Sequence, residues 1–300
     1  MHRIEPRAVP FFVAGPPQDK NAPLGGSDPR SGGAWGYFFG ATIMSKIVNL
    51  NADLGESFGA WTMGSDREIL QSVASANVAC GFHAGDPLVM RNTLRLAKAA
   101  GVSVGAHPSF PDLQGFGRRR MQFEPAELEA LLIYQIAALD GMARTEGLRM
   151  AHVKAHGALS NMACADLTLA RTVAGAVKAY DPALILLAPA LSCLCTAGRE
   201  AGLAVVEEIF ADRAYLDDGQ LVPRGRADAM IHGAARSLAH VEAMLEEQAL
   251  ISVSGKRLPT AIGSICVHGD GPEAVATAAY LRAELERKGY QLRPLGALAA

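Results

Sequence analysis

The chain has 300 residues, of which 50% are hydrophobic and 19% are charged. This composition is sufficient for a large core and excludes wholesale disorder, and the length suits two domains or one large α/β barrel. The 28 basic and 30 acidic residues leave no basic excess for nucleic acid, and no apolar run is long enough for a transmembrane helix. The five cysteines form no C-x-x-C pair, which favours a reduced compartment. We therefore expect a cytoplasmic protein with neither nucleic acid nor membrane as its partner.

Residues 1–43 differ in composition from the rest of the chain. They contain 7 Gly and 6 Pro, a proportion typical of low-complexity sequence. The apolar run from Phe11 to Ala14 is too short for the core of a signal peptide. We expect residues 1–43 to be a disordered extension that need not belong to the native protein, with Met44 as a candidate start, and residues 44–300 to form a single catalytic domain.

After Met44, short apolar runs alternate with helical patterns. Runs rich in Val, Ile, Leu and Ala without clean alternation are typical of parallel strands buried on both faces. Two of the helices are predicted to begin at Pro125 and near Ala274. Repeated strand and helix units predict a parallel sheet, either closed into a barrel or open. The seven candidate strands are 46–53, 76–80, 102–107, 150–156, 183–188, 203–210 and 263–268.

Polar residues cluster where the predicted strands end. Because the carboxyl ends of parallel strands share one rim, where ligands bind in this class of fold, these residues are the candidates for a site. They are Asn51, Asp53 and Glu56; Cys80, His83 and Asp86; His107; Lys154 and His156; Glu207, Glu208, Asp212 and Arg213; and His268 and Asp270.

Several candidates also have a purely structural interpretation. Asp86 precedes Pro87 and a helical run, which is typical of an N-cap, and Asp270 has a similar setting before Gly271 and Pro272. His152 lies within a strand and is expected to be a hydrogen-bonded core residue. The run Arg118 to Arg120 is either a solvated loop, the default for exposed charge, or an anion clamp.

Short motifs give weak signals. Gly55 to Gly59 matches G-x-S-x-G, but a nucleophile elbow needs a helix immediately after the turn, whereas the next helix is predicted only near Asp66. The sequence contains no Walker A loop. A divalent metal is a second option, because carboxylate and imidazole ligands suit zinc or a related ion. The residues available are Asp53, His83 and His107, with His156 and His268 near them.

Seven sequence blocks, in order, resemble the lactam-utilisation family over about residues 46–297. The resemblance rests on the blocks NLNADLGESFG (49–59), NVACGFHAGDP (77–87), GAHPSFPD (105–112), GFGRR (115–119), VKAHGAL (153–159), EIFADRAY (208–215) and ICVHGD (265–270).

The resemblance implies a seven-stranded parallel β/α barrel related to polysaccharide deacetylases. It also implies a 5-oxoprolinase activity, the opening of 5-oxo-L-proline to L-glutamate with hydrolysis of ATP to ADP and phosphate. That activity would be shared with two partner subunits, B and C, with ATP as co-substrate. Because a five-membered lactam is a stable amide, its carbonyl must be activated, and phosphorylation by ATP could do this.

Strand-end position and motif membership together suggest roles for individual residues. We expect Asp53 or Glu56 to act as general base, Lys154 and His156 to stabilise developing negative charge, and Arg213 to bind the substrate carboxylate. The full prediction assigns catalysis to Asp53, Glu56, Lys154, His156 and Asp270, substrate binding to Arg213, His268 and Asp86, and metal ligation, where a metal is bound, to His83 and His107.

Three other functions are compatible with the same residues. The chain could be a stand-alone metal-dependent deacetylase or amidohydrolase, which would need neither ATP nor partners. It could be a serine hydrolase that uses Ser57, which a fluorophosphonate probe would label. It could also be a non-catalytic scaffold that captures a polar ligand for partner subunits.

Overall fold

The computed structural model describes residues 46–268 and 273–298, so the predictions for residues 1–43 and for Asp270 lie outside it. Each of the seven candidate strands is present, with boundaries that differ from the prediction by at most three residues. Three short strands were not predicted. In chain order the strands of the described residues are β1 Ile47–Leu54, β2 Ser75–Ala79, β3 Ser103–His107, β4 Met150–Val153, β5 Ile185–Pro189, β6 Val205–Phe210, β7 Ala249–Ile251, β8 Arg257–Pro259, β9 Ser264–Val267 and β10 Gln291–Leu292.

The seven predicted strands close into a parallel barrel. Neighbours follow the order β1, β2, β3, β4, β5, β6 and β9, and β9 then pairs with β1, where Asn51 lies opposite Cys266. All of these pairings are parallel. The prediction of a seven-stranded β/α barrel is therefore confirmed, and the open sheet is excluded because no edge is left between β1 and β9.

Helices surround the barrel. Asp86 accepts hydrogen bonds from the backbone N–H groups of Leu88 and Val89, so the chain enters the second helix through a conventional N-cap with Pro87 next. The helices are α1 Asp66–Ile69, α2 Pro87–Ala100, α3 Pro125–Thr145, α4 Gly157–Ala165, α5 Leu167–Tyr180, α6 Cys193–Glu200, α7 Ala234–Glu247 and α8 Ala274–Arg287, with a 3₁₀ turn at Leu295–Ala297. Within the described ranges, no helix combines the length and apolar content needed to cross a bilayer.

The unpredicted strands lie outside the barrel wall or at its end. β7 and β8 pair with each other as a short antiparallel ribbon, and β10 adds two residues beside the start of β1. Strands of two or three residues contain too few positions to establish a periodicity, which is why the sequence pattern missed them.

The inside of the barrel is polar. Along β1, Asn49, Asn51 and Asp53 alternate with apolar residues, as expected for a strand whose successive side chains point to opposite faces. The Asn49 amide contacts Ser75 and Ser264 at 2.8 Å, and these hydrogen bonds link β1 to both of its neighbours. The apolar residues of β1 from position 48 onward pack in the main hydrophobic core, namely Val48, Leu50, Ala52 and Leu54. Because of this alternation, polar side chains follow one another along the inside of the barrel up to its carboxyl end.

Candidate active site

A cavity of about 650 Å³ opens at the carboxyl ends of the barrel strands. Such a volume lies within the usual range for small-molecule sites. The predicted site residues that line it are Asp53, Glu56, His107, Lys154, His156, Arg213 and His268. The sequence prediction of a single polar rim therefore holds for these residues, although it could not show which of them are in contact.

A buried row of three charged groups lies beneath the cavity, and two of them, Asp53 and Lys154, form its floor. Lys154 Nζ lies 3.1 Å from Asp53 Oδ1 and 3.1 Å from Glu208 Oε2. All three side chains are buried. The residues come from β1, the end of β4 and β6, so the barrel wall brings together positions up to 155 residues apart, counting from 53 to 208.

Neutral side chains hold this row in place. Asn77 Nδ2 donates to Asp53 Oδ1 at 2.8 Å and to Asn51 Oδ1 at 2.7 Å. His152 Nε2 lies 2.7 Å from Asn77 Oδ1 and must donate to it, because an amide oxygen can only accept. His152 is therefore the hydrogen-bonded core histidine that the sequence predicts.

The electrostatics keep Asp53 and Lys154 charged. Burial opposes the ionisation of Asp53, but His107 and Lys154 outweigh it and hold the Asp53 pKa well below its usual range. Burial likewise opposes the charge on Lys154, yet Asp53, Cys266 and Glu208 hold the Lys154 pKa well above its usual range. Burial raises the pKa of Glu208, although Lys154 counteracts part of this effect. The floor is therefore an ion pair between Asp53 and Lys154. The carboxyl group of Glu208 lies on the other side of Lys154 and takes up a proton more readily than an exposed glutamate.

Three histidines and one glutamate converge beside Asp53. His156 Nδ1 lies 3.0 Å from His107 Nε2. Glu56 Oε1 lies 3.5 Å from His83 Nε2 and 3.6 Å from His156 Nδ1. One ligand atom from each of the four side chains lies within 4.8 Å of all the others. The two predicted metal ligands, His83 and His107, are thus brought together, and two predicted catalytic residues join them.

The outer hydrogen bonds of these rings show that the cluster fits a cation. His107 Nδ1 donates to the carbonyl oxygen of Lys154 at 2.8 Å, and His156 Nε2 donates to that of Phe116 at 2.9 Å. In the neutral rings, the lone pairs of His107 Nε2 and His156 Nδ1 therefore face each other and need a proton or a metal ion between them. Both nitrogens of the buried His83 ring lack a hydrogen-bond partner among the described residues.

Spacing and protonation agree with metal binding. Tetrahedral zinc with bonds of about 2.0–2.1 Å sets its ligand atoms about 3.3 Å apart, close to three of the separations here, which are 3.0, 3.5 and 3.6 Å. Burial lowers the pKa of His83 and of His156 well below the usual range, and the neighbouring histidines add to this effect. Neutral imidazoles are the form that binds a metal. Glu56, His83, His107 and His156 could therefore hold a divalent ion.

A strained loop fixes His156. Phe116 has a positive φ of 54° and presents its carbonyl oxygen to His156, and Gly117 follows with a φ of 64°. A Cβ on Gly117 would lie 2.8 Å from His156 Cδ2. Glycine is needed at position 117 because the backbone is left-handed there and passes directly over the imidazole.

Arg213 and His268 lie further up the cavity wall. Arg213 is 5% exposed and its Nη2 donates to the carbonyl oxygen of Val222 at 2.8 Å. His268 Nδ1 lies 2.8 Å from both carboxylate oxygens of Asp212. Burial opposes protonation of His268, but Asp212 outweighs it and raises the His268 pKa. Both predicted substrate-binding residues therefore face the cavity with one side of the group held by protein.

Asp86 and Ser57 lie outside the lining of the cavity among the described residues. Asp86 does not appear among the described residues that line the cavity, since it caps α2 and accepts a further bond from the Gly59 N–H at 2.7 Å. Its N-cap role is the one observed. Ser57 Oγ donates to Met63 O at 3.2 Å and accepts from Met63 N at 2.9 Å, and α1 begins only at Asp66. Ser57 thus holds a turn and has no nucleophile elbow around it.

Sequence reasoning assigns no role to several residues that the site uses. Glu208, Asn51 and Asp212 are recognisable only as polar strand-end residues, and Asn77 and Phe116 only as parts of sequence blocks. For Glu208 the usable signal is a carboxylate at the end of a buried strand, which needs a cationic partner. No local pattern could have indicated that Lys154 is that partner.

Comparison with known proteins gives a consistent picture. The model of the LamB/YcsF family matches residues 48–300. A protein named as the A subunit of 5-oxoprolinase, from Azoarcus sp. (strain BH72), is 60% identical over 245 residues, which is 82% of this chain and 96% of that protein. A protein of the same name from Methylococcus capsulatus (strain ATCC 33009 / NCIMB 11132 / Bath) is 51% identical over 84% of this chain and 97% of its own length. The crystal structure of a lactam utilization protein from Thermus thermophilus superposes with a TM-score of 0.78 at 45% identity, covering 82% of this chain and 99% of that one.

Proposed function

The chain belongs to the LamB/YcsF family, and from that premise we propose that it is the barrel subunit of a cytoplasmic 5-oxoprolinase. In this proposal it takes part in opening 5-oxo-L-proline to L-glutamate, with hydrolysis of ATP to ADP and phosphate, in a complex with partner subunits B and C. The observation that carries the proposal is the Asp53 and Lys154 pair at the floor of the cavity. It lies beside the Glu56 and histidine cluster, in a chain 60% identical to a protein named as the A subunit of 5-oxoprolinase.

The chemistry of lactam opening suits this floor. Water must attack an amide carbonyl that is stable until it is activated, and negative charge then develops on the carbonyl oxygen. Asp53 stays ionised because His107 and Lys154 outweigh the effect of its burial on its pKa, and it or Glu56 accepts the proton of the attacking water. The ammonium group of Lys154 is fixed in a buried site, where a preorganised charge stabilises an oxyanion more strongly than it could in water.

The cavity wall supplies recognition and a place for a metal. Arg213 offers a guanidinium group for the substrate carboxylate, which charge-assisted hydrogen bonds would hold. Glu56, His83, His107 and His156 would hold a divalent metal ion, which would polarise the lactam carbonyl.

The test is release of glutamate from 5-oxo-L-proline. The chain is assayed alone and with candidate B and C subunits, with and without ATP, and Asp53→Asn is compared with Asp166→Asn. Asp166 is the N-cap of α5 and does not line the cavity. We expect glutamate only from the complete mixture with ATP, a loss of at least about 100-fold in Asp53→Asn, and near-normal turnover in Asp166→Asn. Turnover of Asp53→Asn at the normal rate would overturn the assignment.

A second candidate function has one observation in its favour. The cluster of Glu56 with three histidines is complete within this chain, so a stand-alone metal-dependent amidohydrolase would need no partner for its metal. Hydrolysis of an N-acetyl sugar or a lactam by the zinc-loaded chain alone, without ATP, would favour this second function over the first.

A further inference from the structure

We propose that Glu208 is a positioning residue that anchors the ammonium group of Lys154 at the floor of the cavity while the lactam carbonyl is attacked. Glu208 is 0% exposed and has no part in the function proposed above. The inference rests on that function, because the function gives Lys154 its role towards the oxyanion. It adds a task for Glu208 and identifies the contact of Lys154 that the substrate replaces.

The protein already offers an acceptor to every N–H group of Lys154. An ammonium group has three N–H donors and no acceptor. Lys154 Nζ lies 3.1 Å from both Asp53 Oδ1 and Glu208 Oε2. It also lies 3.3 Å from Asn51 Oδ1 and 3.1 Å from Cys266 Sγ. Because there are thus four acceptors for three hydrogens, the oxyanion can receive an N–H group only when one of these contacts opens.

The contact with Asp53 is the one that can open towards the substrate. Asp53 and Lys154 both line the cavity, whereas Glu208 is not among the described residues of its lining. Asp53 Oδ1 also accepts a hydrogen bond from Asn77 Nδ2 at 2.8 Å, so this oxygen keeps a donor when Lys154 turns away. The substrate oxygen therefore replaces Asp53 as an acceptor, and Glu208 keeps its N–H group from Lys154.

Glu208 has no comparable substitute for Lys154. Within the part of the chain that the structure describes, its Oε1 has no hydrogen-bond partner, and its Oε2 accepts from Asn51 Nδ2 over a long 3.4 Å. A buried carboxylate needs a cation or several hydrogen bonds in place of water. Lys154 counteracts the effect of burial on the Glu208 pKa, whereas Asp53 adds to that effect. The contact of Lys154 with Glu208 is therefore costlier to break than its contact with Asp53.

Stabilisation of an oxyanion requires an ammonium group that stays in place. A donor that is already in position costs no reorganisation when charge develops, and a displacement of about 1 Å can cost about 100-fold in rate. The lysine side chain is flexible, so attraction from the cavity side alone would let its ammonium group follow the substrate. Glu208 fixes the ammonium group from the side away from the cavity.

Turnover in the complete mixture with ATP tests the anchor. Release of glutamate from 5-oxo-L-proline is measured for the native chain, Glu208→Gln and Glu207→Gln, after thermal melts show that each variant is folded. Glutamine keeps the shape of the side chain and removes its charge. Glu207 is the matched control, because it is the preceding residue of the same strand, pairs with Arg199 and is not one of the described residues that line the cavity.

We expect kcat to fall at least about tenfold in Glu208→Gln. KM should stay within about threefold of its native value, because the anchor matters only once the oxyanion forms. Glu207→Gln should keep kcat within about threefold of the native value, since its partner Arg199 is an exposed side chain.

A second measurement uses the chain alone and needs no turnover. In NMR spectra of the nitrogen-labelled chain, the ammonium hydrogens of a lysine stay visible only while hydrogen bonds slow their exchange with water, and Lys154→Met identifies the signal of Lys154. Asp53→Asn removes the contact that the substrate replaces. We expect exchange within about threefold of the native rate in Asp53→Asn and in Asp53→Asn/Glu207→Gln, and at least about tenfold faster exchange in Asp53→Asn/Glu208→Gln.

The proposal is overturned if Asp53→Asn alone exchanges as fast as Asp53→Asn/Glu208→Gln, or if Glu208→Gln keeps the kcat of the native chain. It is also overturned if the Glu207→Gln control matches Glu208→Gln in either measurement, because any loss of a carboxylate from the strand would then have the same effect. Failure of the proposed function gives a different result. If the native chain releases no glutamate in the complete mixture, that function is removed, and the NMR measurement still decides whether Glu208 anchors Lys154.

Discussion

Replacing Lys154 by methionine should destabilise the protein far more than the loss of a surface lysine. Lys154 Nζ contacts Asp53 and Glu208 at 3.1 Å each, and the three side chains are 3%, 9% and 0% exposed. Methionine fills a similar volume but leaves two buried carboxyl groups without their cation. Removing one partner from a buried ion pair costs about 3–5 kcal/mol. Because burial already raises the pKa of Glu208, that carboxyl group can take up a proton, which places the expected cost near the lower limit.

Urea denaturation followed by circular dichroism at pH 7 measures this effect. For a slope of about 3 kcal/mol per molar urea, a loss of about 3 kcal/mol lowers the midpoint by about 1 M. Lys178→Met is the control, because Lys178 is exposed on α5 and, within the part of the chain that the structure describes, its ammonium group donates a hydrogen bond only to the backbone carbonyl oxygen of Ala201. Its unfolding free energy should change by less than about 0.5 kcal/mol.

A double variant separates the loss of charge from the loss of packing. Adding Glu208→Gln to Lys154→Met removes one of the two unpaired acids, so it should restore at least about 1 kcal/mol of the lost unfolding free energy. The reasoning is refuted if Lys154→Met lowers the urea midpoint no more than Lys178→Met does. It is also refuted if Glu208→Gln destabilises the Lys154→Met variant as much as it destabilises the native chain, because the two side chains would then not be coupled.

Three further predictions concern the metal cluster, acid stability and one glycine. Zinc at about 100 times its dissociation constant should stabilise the native chain by about 2.7 kcal/mol, which a thermal melt would show as an increase in melting temperature. His83→Ala and His107→Ala should each abolish this increase, and an equal increase in these variants would contradict binding at the cluster. Burial lowers the pKa of His152 to about 3, so below about pH 6.5 the unfolded chain takes up a proton that the folded chain refuses. The unfolding free energy should therefore decrease as the pH is lowered, and this group alone should account for a loss of about 2.7 kcal/mol at about pH 4.5. Urea titrations of His152→Gln at a series of pH values should lack this contribution. A Cβ at position 105 would lie 2.4 Å from the His152 ring, so Gly105→Ala should lower the unfolding free energy by at least about 1–3 kcal/mol, whereas Gly141→Ala, in the open on α3, should not lower it.

Much of the fold could be predicted because its signals are local. Buried parallel strands appear as short apolar runs, and the run at 76–80 corresponds to Ser75–Ala79. Pro125 marks the start of α3 correctly, since proline suits the first turn of a helix. The short strands β7, β8 and β10 were missed because two or three residues carry no period.

The candidate site was predictable as a region but not as a set of contacts. Asp53 and Asp86 were both candidates because polar residues cluster where the predicted strands end, yet Asp53 lies on the cavity floor and Asp86 caps a helix. The sequence around Asp86 did indicate the cap, because Pro87 follows it. The partner of Glu208 could not be predicted, since Lys154 lies 54 residues away, counting from 154 to 208, on a strand that is not its neighbour in the sheet.

The alternation of strands and helices, the polar rim and the family resemblance can be read from the amino-acid sequence, because each depends on residues close together in the chain. The pairing of β9 with β1, which closes the ring, is visible only in the folded structure. That closure places Asp53, Lys154 and Glu208 in one buried row and sets His83, His107 and His156 around a common point. Both arrangements are fixed by backbone pairing between strands that are distant in sequence, and local hydrophobic periodicity carries no information about which strands will pair.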